Sequence, residues 1–244
     1  IRQKLVNLIE KTEVNAVVID IKDFSGKIAF TIDDPVVSQF KPFERRITDI
    51  KEFIGTLHDK GIYVIGRVTV FQDPNLANMR PDLAVQKNTD KEIWEDYKGL
   101  SFTDPSAREV WDYHIAIANG SYDLGFDEIN FDYIRFPSDG NMRDIYFPKS
   151  NEYITTHPYT ARADIMESFF SYLDGHIEDD EPVISADLFG MTTTNYDDLN
   201  IGQVLERALP HFDYIAPMVY PSHYPKTFIG IGNPAEHPYE VIKY

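Results

Sequence analysis

The 244-residue sequence predicts a parallel α/β fold amounting to most of a (β/α)₈ TIM barrel, and three observations carry that expectation. Near-continuous apolar runs rich in β-branched residues have the length and composition of strands buried on both faces. Between them, apolar residues recur at helical spacing, so the order strand, loop, helix, strand repeats along the chain. That order implies parallel strands joined by right-handed helical crossovers. The length also suits a single domain over 1–244, since barrels of this class run to about 250 residues.

The elements follow in order. Leu5, Leu8 and Ile9 share one face of an opening helix, and VNAVVIDIKD (14–23) reads as the first strand. Residues 24–45 read as a loop with a small hairpin, Ser25-Gly26 marking a turn and KIAFTI a short strand. Ile47, Ile50, Ile54 and Leu57 then recur at helical spacing, with Gly61 as the stop. GIYVIGRVTVF (61–71) is the second strand. The polar stretch 72–104 reads as a long structureless insert, of the kind that more often serves function than accident.

Asp104-Pro105 is expected to cap the next helix, whose stripe is Val110, His114 and Ile117. DEINFDYIRFP (127–137) is the third strand, followed by a polar loop to about Thr160. A helix (Ala161, Ile165, Phe169, Leu173) leads to VISADLFG (183–190), and a short one (Val204, Leu205, Leu209) to YIAPMVYP (214–221). PYEVIKY begins a further helix. The reading yields five strands, with a helix at either end, so the barrel is expected to be truncated at both ends, its first strand and last two missing. A five-stranded doubly wound sheet is the alternative, although no Gly-rich phosphate loop opens any helix.

Composition narrows the chemistry. The net charge of −17 disfavours nucleic acid, which needs clustered Lys and Arg, and anionic lipid. No apolar run approaches the ~20 residues that span a bilayer. There is no cysteine, so disulfides, thiolate catalysis and Cys-based zinc sites are excluded. The seven His are scattered without H-x-H or H-E-x-x-H, so no metal or other cofactor is expected, and no G-x-S-x-G supports a serine hydrolase. No signal peptide or initiator Met is visible. Aromatic residues make up 14%, and flat rings suit the C–H faces of sugars, a neutral substrate class.

In such a fold chemistry sits at the C-terminal strand ends. Side-chain alternation there pairs Asp20 with Lys22, Arg67 with Thr69, Asn130 with Asp132, Ser185 with Asp187, and Met218 with Tyr220. Asp132 and Asp187 end successive strands. On neighbours ~4.8 Å apart they could form the acid and nucleophile, or base, of glycoside hydrolysis. Arg67 or Lys22 could keep one carboxylate ionised while the other holds a proton. The alternative is that both acids are structural ion-pair partners of Arg67 and Arg135. Glu128 shares the face of Asp132 but lies roughly 13 Å deeper and reads as structural, and Asp127 as a turn residue. His223, after the last strand, is the one histidine placed for substrate contact.

The runs NAVVIDIKD, GIYVIGRVTVFQDP, GFDEINFDYIRFPSDG, ISADLFG, IGQVLE and YIAPMVYPSHY resemble a bacterial family of glycoside-hydrolase TIM-barrel domains, long filed as a domain of unknown function and distantly similar to the α-amylase group. The resemblance spans nearly the whole chain. It implies that the first visible strand is the family's second, which puts Asp132 at the amylase nucleophile position and Asp187 at that of the acid. Two departures stand out: the amylase acid is Glu, and the amylase arginine two residues before the nucleophile is Asn130 here. The resemblance also implies an extracellular or cell-envelope location. The expectation is therefore a glycoside hydrolase of a polysaccharide or envelope glycan. Asp132 would be nucleophile or base and Asp187 the acid, with Asp20, Lys22, Arg67, Asn130, Tyr133, Arg135, Met218, Tyr220 and His223 at the substrate and Tyr133 or Tyr224 stacking on it. A non-catalytic glycan-binding or envelope-scaffold barrel is the rival, and a metal-dependent hydrolase is disfavoured by the ligand spacing.

Overall fold

The computed structural model describes residues 2–177 and 183–244. Helix α1 (Arg2–Ile9) precedes β1 (Ala16–Lys22), and a connection holding the short α2 (Pro35–Ser38) leads to α3 (Ile50–His58) and β2 (Tyr63–Thr69). After β2 come α4 (Pro74–Met79), the two-residue β3 (Gln86–Lys87), α5 (Arg108–Tyr122) and β4 (Glu128–Asp132). The next connection carries β5 (Ile145–Tyr146), α6 (Asn151–Thr156) and α7 (Ala161–His176) before β6 (Ile184–Phe189). Helix α8 (Leu205–Ala208), β7 (Tyr214–Met218) and α9 (Pro238–Lys243) follow.

Strands β1, β2, β4, β6 and β7 form one parallel sheet in that spatial order. Spatial order equals chain order, so every crossover steps the same way and right-handedness stacks the helices on one face. A doubly wound sheet reverses order at a switch point. This sheet does not, which removes the doubly wound alternative and leaves the winding of a (β/α) barrel. The five strands are those expected, but shorter. β4 stops at Asp132 because Tyr133 takes the left-handed conformation (φ 54°), which breaks the ladder.

The helix face of the sheet is apolar: Val64, Val68, Ile129, Phe131, Ala186 and Leu188 are fully buried. Helix α3 buries Ile50, Ile54 and Leu57, and Gly61 ends its turn at φ +69°. Helix α7 buries Ile165, Phe169 and Leu173, and Phe169 meets Phe71 edge-on at 4.9 Å between ring centres.

Several expectations need correction. Helix α1 buries Val6 and packs Ile9 against the core, whereas Leu5 (55%) and Leu8 (58%) stay exposed, so the stripe faces the core only in part. KIAFTI forms isolated bridges at Ile28, to Lys22 and Phe43, and no hairpin strand. Asp104 does not cap α5, whose N-cap is Ala107. Instead Asp104 closes a turn on Ser106 and accepts hydrogen bonds from Lys149 N (2.8 Å) and Ser150 Oγ (3.2 Å). The stretch 72–104 is folded rather than structureless. It buries Leu83, Val85, Trp94 and Phe102, and its bridges include Gln72 to Phe102 and Ala84 to Thr103. The antiparallel β3–β5 ladder, together with Asp104, ties this connection to the one after β4.

Candidate active site

The sheet face opposite the helices is polar, and strand register explains why. Asp20 pairs with Arg67, Arg67 with Asn130, Asn130 with Ser185, and Ser185 with Tyr214, one residue from each strand in one row. Alternation puts the residues two further along each strand on the same face. There Thr69 pairs with Asp132, and Asp187 with Ala216. The β4–β6 register, which matches Phe131 to Ala186, carries Asp132 and Asp187 to facing positions at the C-terminal ends of neighbouring strands.

Their surroundings differ. Asp132 is 7% exposed, and its Oδ1 accepts the N–H of Tyr133 at 2.7 Å. Burial, then the charge of Asp187, raises its pKa to about 6. Asp187 is half-buried and accepts an N–H of Asn130 at 3.2 Å. Burial raises its pKa as well, opposed by the Asn130 hydrogen bond and the charge of Arg67. Arg67 donates to Asp20 at 2.8 Å while its charge also acts on both acids. Below them Asn130 donates to Ser185 Oγ (3.0 Å), and Ser185 donates to Glu128 (2.5 Å). Asp20, Arg67, Asn130, Asp132 and Asp187 thus come together.

Lys22 does not join them. A β-bulge between Asp20 and Lys22 shifts its pairing to Val68, so its side chain turns to the helix side. There it is fully buried, 2.8 Å from Asp73, with its ammonium also on the Thr69 carbonyl (2.5 Å) and His114 Nε2 (3.2 Å). His114 donates its Nδ1–H to Val110 O (2.7 Å), which leaves Nε2 as the acceptor. Burial and then the Lys22 charge hold its pKa well below the usual histidine range. Arg135 donates to Phe136 O and Ser138 Oγ and lies over the Tyr133 ring, in the loop beyond Asp132. Met218 pairs with Phe189 at the top of β7. Tyr220 (53% exposed) and His223 meet edge-on just past β7. Tyr224 is buried against Phe228 and Phe189, so its ring is not free to stack on a sugar.

Among the described residues neither Asp132 nor Asp187 forms an ion pair, which speaks against a purely structural role with Arg67 and Arg135. Nor do any three His, Asp or Glu side chains among them form a group that could hold a metal ion. A cavity of about 450 Å³ lies at the opposite end of the sheet, lined by Ile184, His211 and Asp213. Another, of about 360 Å³, lies on the outer surface of α5 and α7. Parallel α/β chemistry sits at C-terminal strand ends, so neither competes with the carboxylate site.

Sequence reasoning missed two sets of residues. Asp73 lies in the stretch expected to be structureless, yet it caps α4 through Leu76 N at 2.8 Å and pairs with Lys22, a contact between residues 51 apart that local pattern does not show. The link from Glu128 to Ser185 depends on the register between β4 and β6, which neither strand's pattern specifies alone.

Solved structures share the fold. No protein of curated function matches the chain. A hypothetical protein from Ruminiclostridium thermocellum ATCC 27405 is 32% identical over 76% of this chain and 89% of that one, with a TM-score of 0.65. The PgaB (BpsB) glycoside hydrolase domain from Bordetella bronchiseptica shares the fold at 14% identity, covering 99% of this chain and 73% of that one, TM-score 0.65. The noncanonic maltogenic α-amylase AmyB from Thermotoga neapolitana does so at 12% identity, covering 88% and 43%, TM-score 0.52. Residues 1–244 match the family described as "Putative glycosyl hydrolase domain", and the chain belongs to that family.

Proposed function

We propose that this domain hydrolyses a glycosidic bond in a polysaccharide or cell-envelope glycan, using Asp132 and Asp187 as its carboxylate pair. One observation carries the reading: two acids at the ends of neighbouring parallel strands face one another without an ion-pair partner among the described residues. Glycoside hydrolysis needs one protonated carboxyl to deliver a proton to the leaving oxygen and one ionised carboxylate to attack the anomeric carbon or activate water. Like charges on neighbouring strand ends oppose each other's ionisation, as the charge of Asp187 does that of Asp132, so the pair retains a proton into the weakly acidic range.

The proton belongs on Asp132. It is the more buried of the two, and its pKa reaches about 6. Its Tyr133 N–H does not offset that burial and the charge of Asp187, whereas Asp187 is more open and has the Asn130 N–H and the charge of Arg67 to stabilise its negative charge. In this proposal Asp132 is the general acid and Asp187 the nucleophile or base, the reverse of the roles implied by the amylase-like positions. Arg67, with Asp20 behind it, supplies positive charge beside both, and Asn130 and the exposed Tyr220 and His223 contact the sugar. Tyr133, Arg135 and Met218 border the same strand ends. The five strands are read as an arc of an eight-stranded barrel, because the edge strands leave Val18 and Tyr214 exposed. The glycan class implies action outside the cell or in its envelope; among the described residues no helix is long and apolar enough to cross a membrane.

The test is release of new reducing ends from a panel of polysaccharides. Product is expected from the wild type, with Asp132→Asn and Asp187→Asn each lowering turnover by about 10³-fold or more, given what general acid–base groups contribute. Turnover unchanged in either variant removes the proposal. Saturable binding without product would instead favour a glycan-binding scaffold.

A further inference from the structure

A short chain of side-chain hydrogen bonds runs beneath the carboxylates, and simple chemistry fixes its direction. Glu128 is buried on the inner face, and as a carboxylate it only accepts hydrogen bonds. Ser185 Oγ lies 2.5 Å from Glu128 Oε1, so the hydroxyl proton points at the glutamate. The serine is left with lone pairs, into which Asn130 Nδ2 donates at 3.0 Å. The amide of Asn130 therefore has its nitrogen toward β6, and the second N–H reaches Asp187 Oδ1 at 3.2 Å. A flipped amide would set a carbonyl oxygen against both the Ser185 lone pairs and the Asp187 carboxylate.

The groups facing Asp187 are Asp132 and Asn130 from β4, Arg67 from β2 with Asp20 at its back on β1, and, one row down on β7, Tyr214. Arg67 acts on both acids, so its charge does not single out Asp187. Asn130 donates to Asp187 and not to Asp132. Whatever fixes Asn130 therefore biases which acid keeps the proton.

We propose that Ser185 and Glu128 are positioning residues of the site: they hold the Asn130 amide so that one N–H stays on Asp187, making it the ionised member of the pair. The inference rests on reading Asp187 as the nucleophile or base, yet its test needs no substrate, so the two can fail separately.

The experiment follows the Asp187 carboxyl by ¹³C NMR through a pH titration of the whole chain, its signal identified by its loss in Asp187→Asn. Ser185→Ala is expected to raise the Asp187 midpoint by about one pH unit, the size expected when a hydrogen bond to a charged group is weakened. Ser185→Thr, which keeps the hydroxyl, is expected to restore it. A midpoint unmoved by Ser185→Ala but raised by Asn130→Ala overturns the proposal and leaves Ser185 as packing only. Should Ser185→Ala fail to fold, Glu128→Ala, which removes the acceptor of the Ser185 hydroxyl together with the charge, decides by sign. Losing a nearby negative charge alone lowers the Asp187 midpoint, whereas losing the direction of the chain raises it. A rise supports the proposal and a fall overturns it.

Discussion

Asp132 carries a stability cost that its neighbours do not remove. Its folded pKa of about 6 lies above the ordinary aspartate value, so the folded state holds the proton more tightly than the unfolded chain. The stabilisation from that proton is fully present below the unfolded pKa and is lost as pH rises from about 4 through about 6. Asp132→Asn removes an ionisation that the fold opposes at neutral pH. It is expected to raise the melting temperature by a few degrees at pH 7.5 and much less at pH 4, for a gain on the order of 1–3 kcal/mol. Thermal unfolding at both pH values checks this, and equal shifts at the two would contradict it. Part of the residue scale was legible: alternation alone paired Asn130 with Asp132 and Ser185 with Asp187, each on one face of its strand. Lys22 was not, because a bulge breaks the two-residue period without leaving a Gly or Pro to announce it.

At the scale of elements, Lys22 and Asp73 bind the end of β1 to the start of the connection after β2, with Lys22 also holding the Thr69 carbonyl. Both side chains are fully buried, so removing one leaves the other's charge uncompensated. Lys22→Met is expected to lower unfolding free energy by about 3–5 kcal/mol, read from the urea midpoint. A smaller loss is expected for the double variant Lys22→Met with Asp73→Leu, which removes both charges together. The top of β6 is set by close approach rather than charge. A Cβ on Gly190 would lie 2.7 Å from both Met218 O and Tyr224 Oη. Gly190→Ala is expected to cost about 1–3 kcal/mol in the same assay, as overpacking does, and no change would mean that β7 and its loop yield. Helices α3 and α7 could be read from their stripes because each buries one continuous face. The stripe of α1 could be read only in part, since most of that helix lies in solvent, with Val6 buried and Ile9 packed against the core. The 72–104 connection looked structureless because its order comes from bridges between distant residues, which local pattern does not encode.

For the whole molecule, strand order follows from repeated strand–helix alternation, so the barrel winding was legible, whereas the register that brings Asp20, Arg67, Asn130, Asp132 and Asp187 together was not. The site's electrostatics predict an acidic pH optimum on any glycan that is cleaved. kcat/KM should fall on the acid side as Asp187 protonates and on the basic side as Asp132 ionises at about 6. Loss of the basic limb in Asp132→Asn, with its residual rate flat above pH 6, would match. An optimum above pH 8 in the wild type would not. Beneath these predictions is the claim that Asp132 and Asp187 occupy one small volume and share a proton. The most direct measurement is the ¹³C titration midpoint of the Asp132 carboxyl in the wild type and in Asp187→Asn. A midpoint at about 6 that falls once the neighbouring charge is gone is expected. A midpoint at the ordinary aspartate value, or one unmoved by Asp187→Asn, would contradict it.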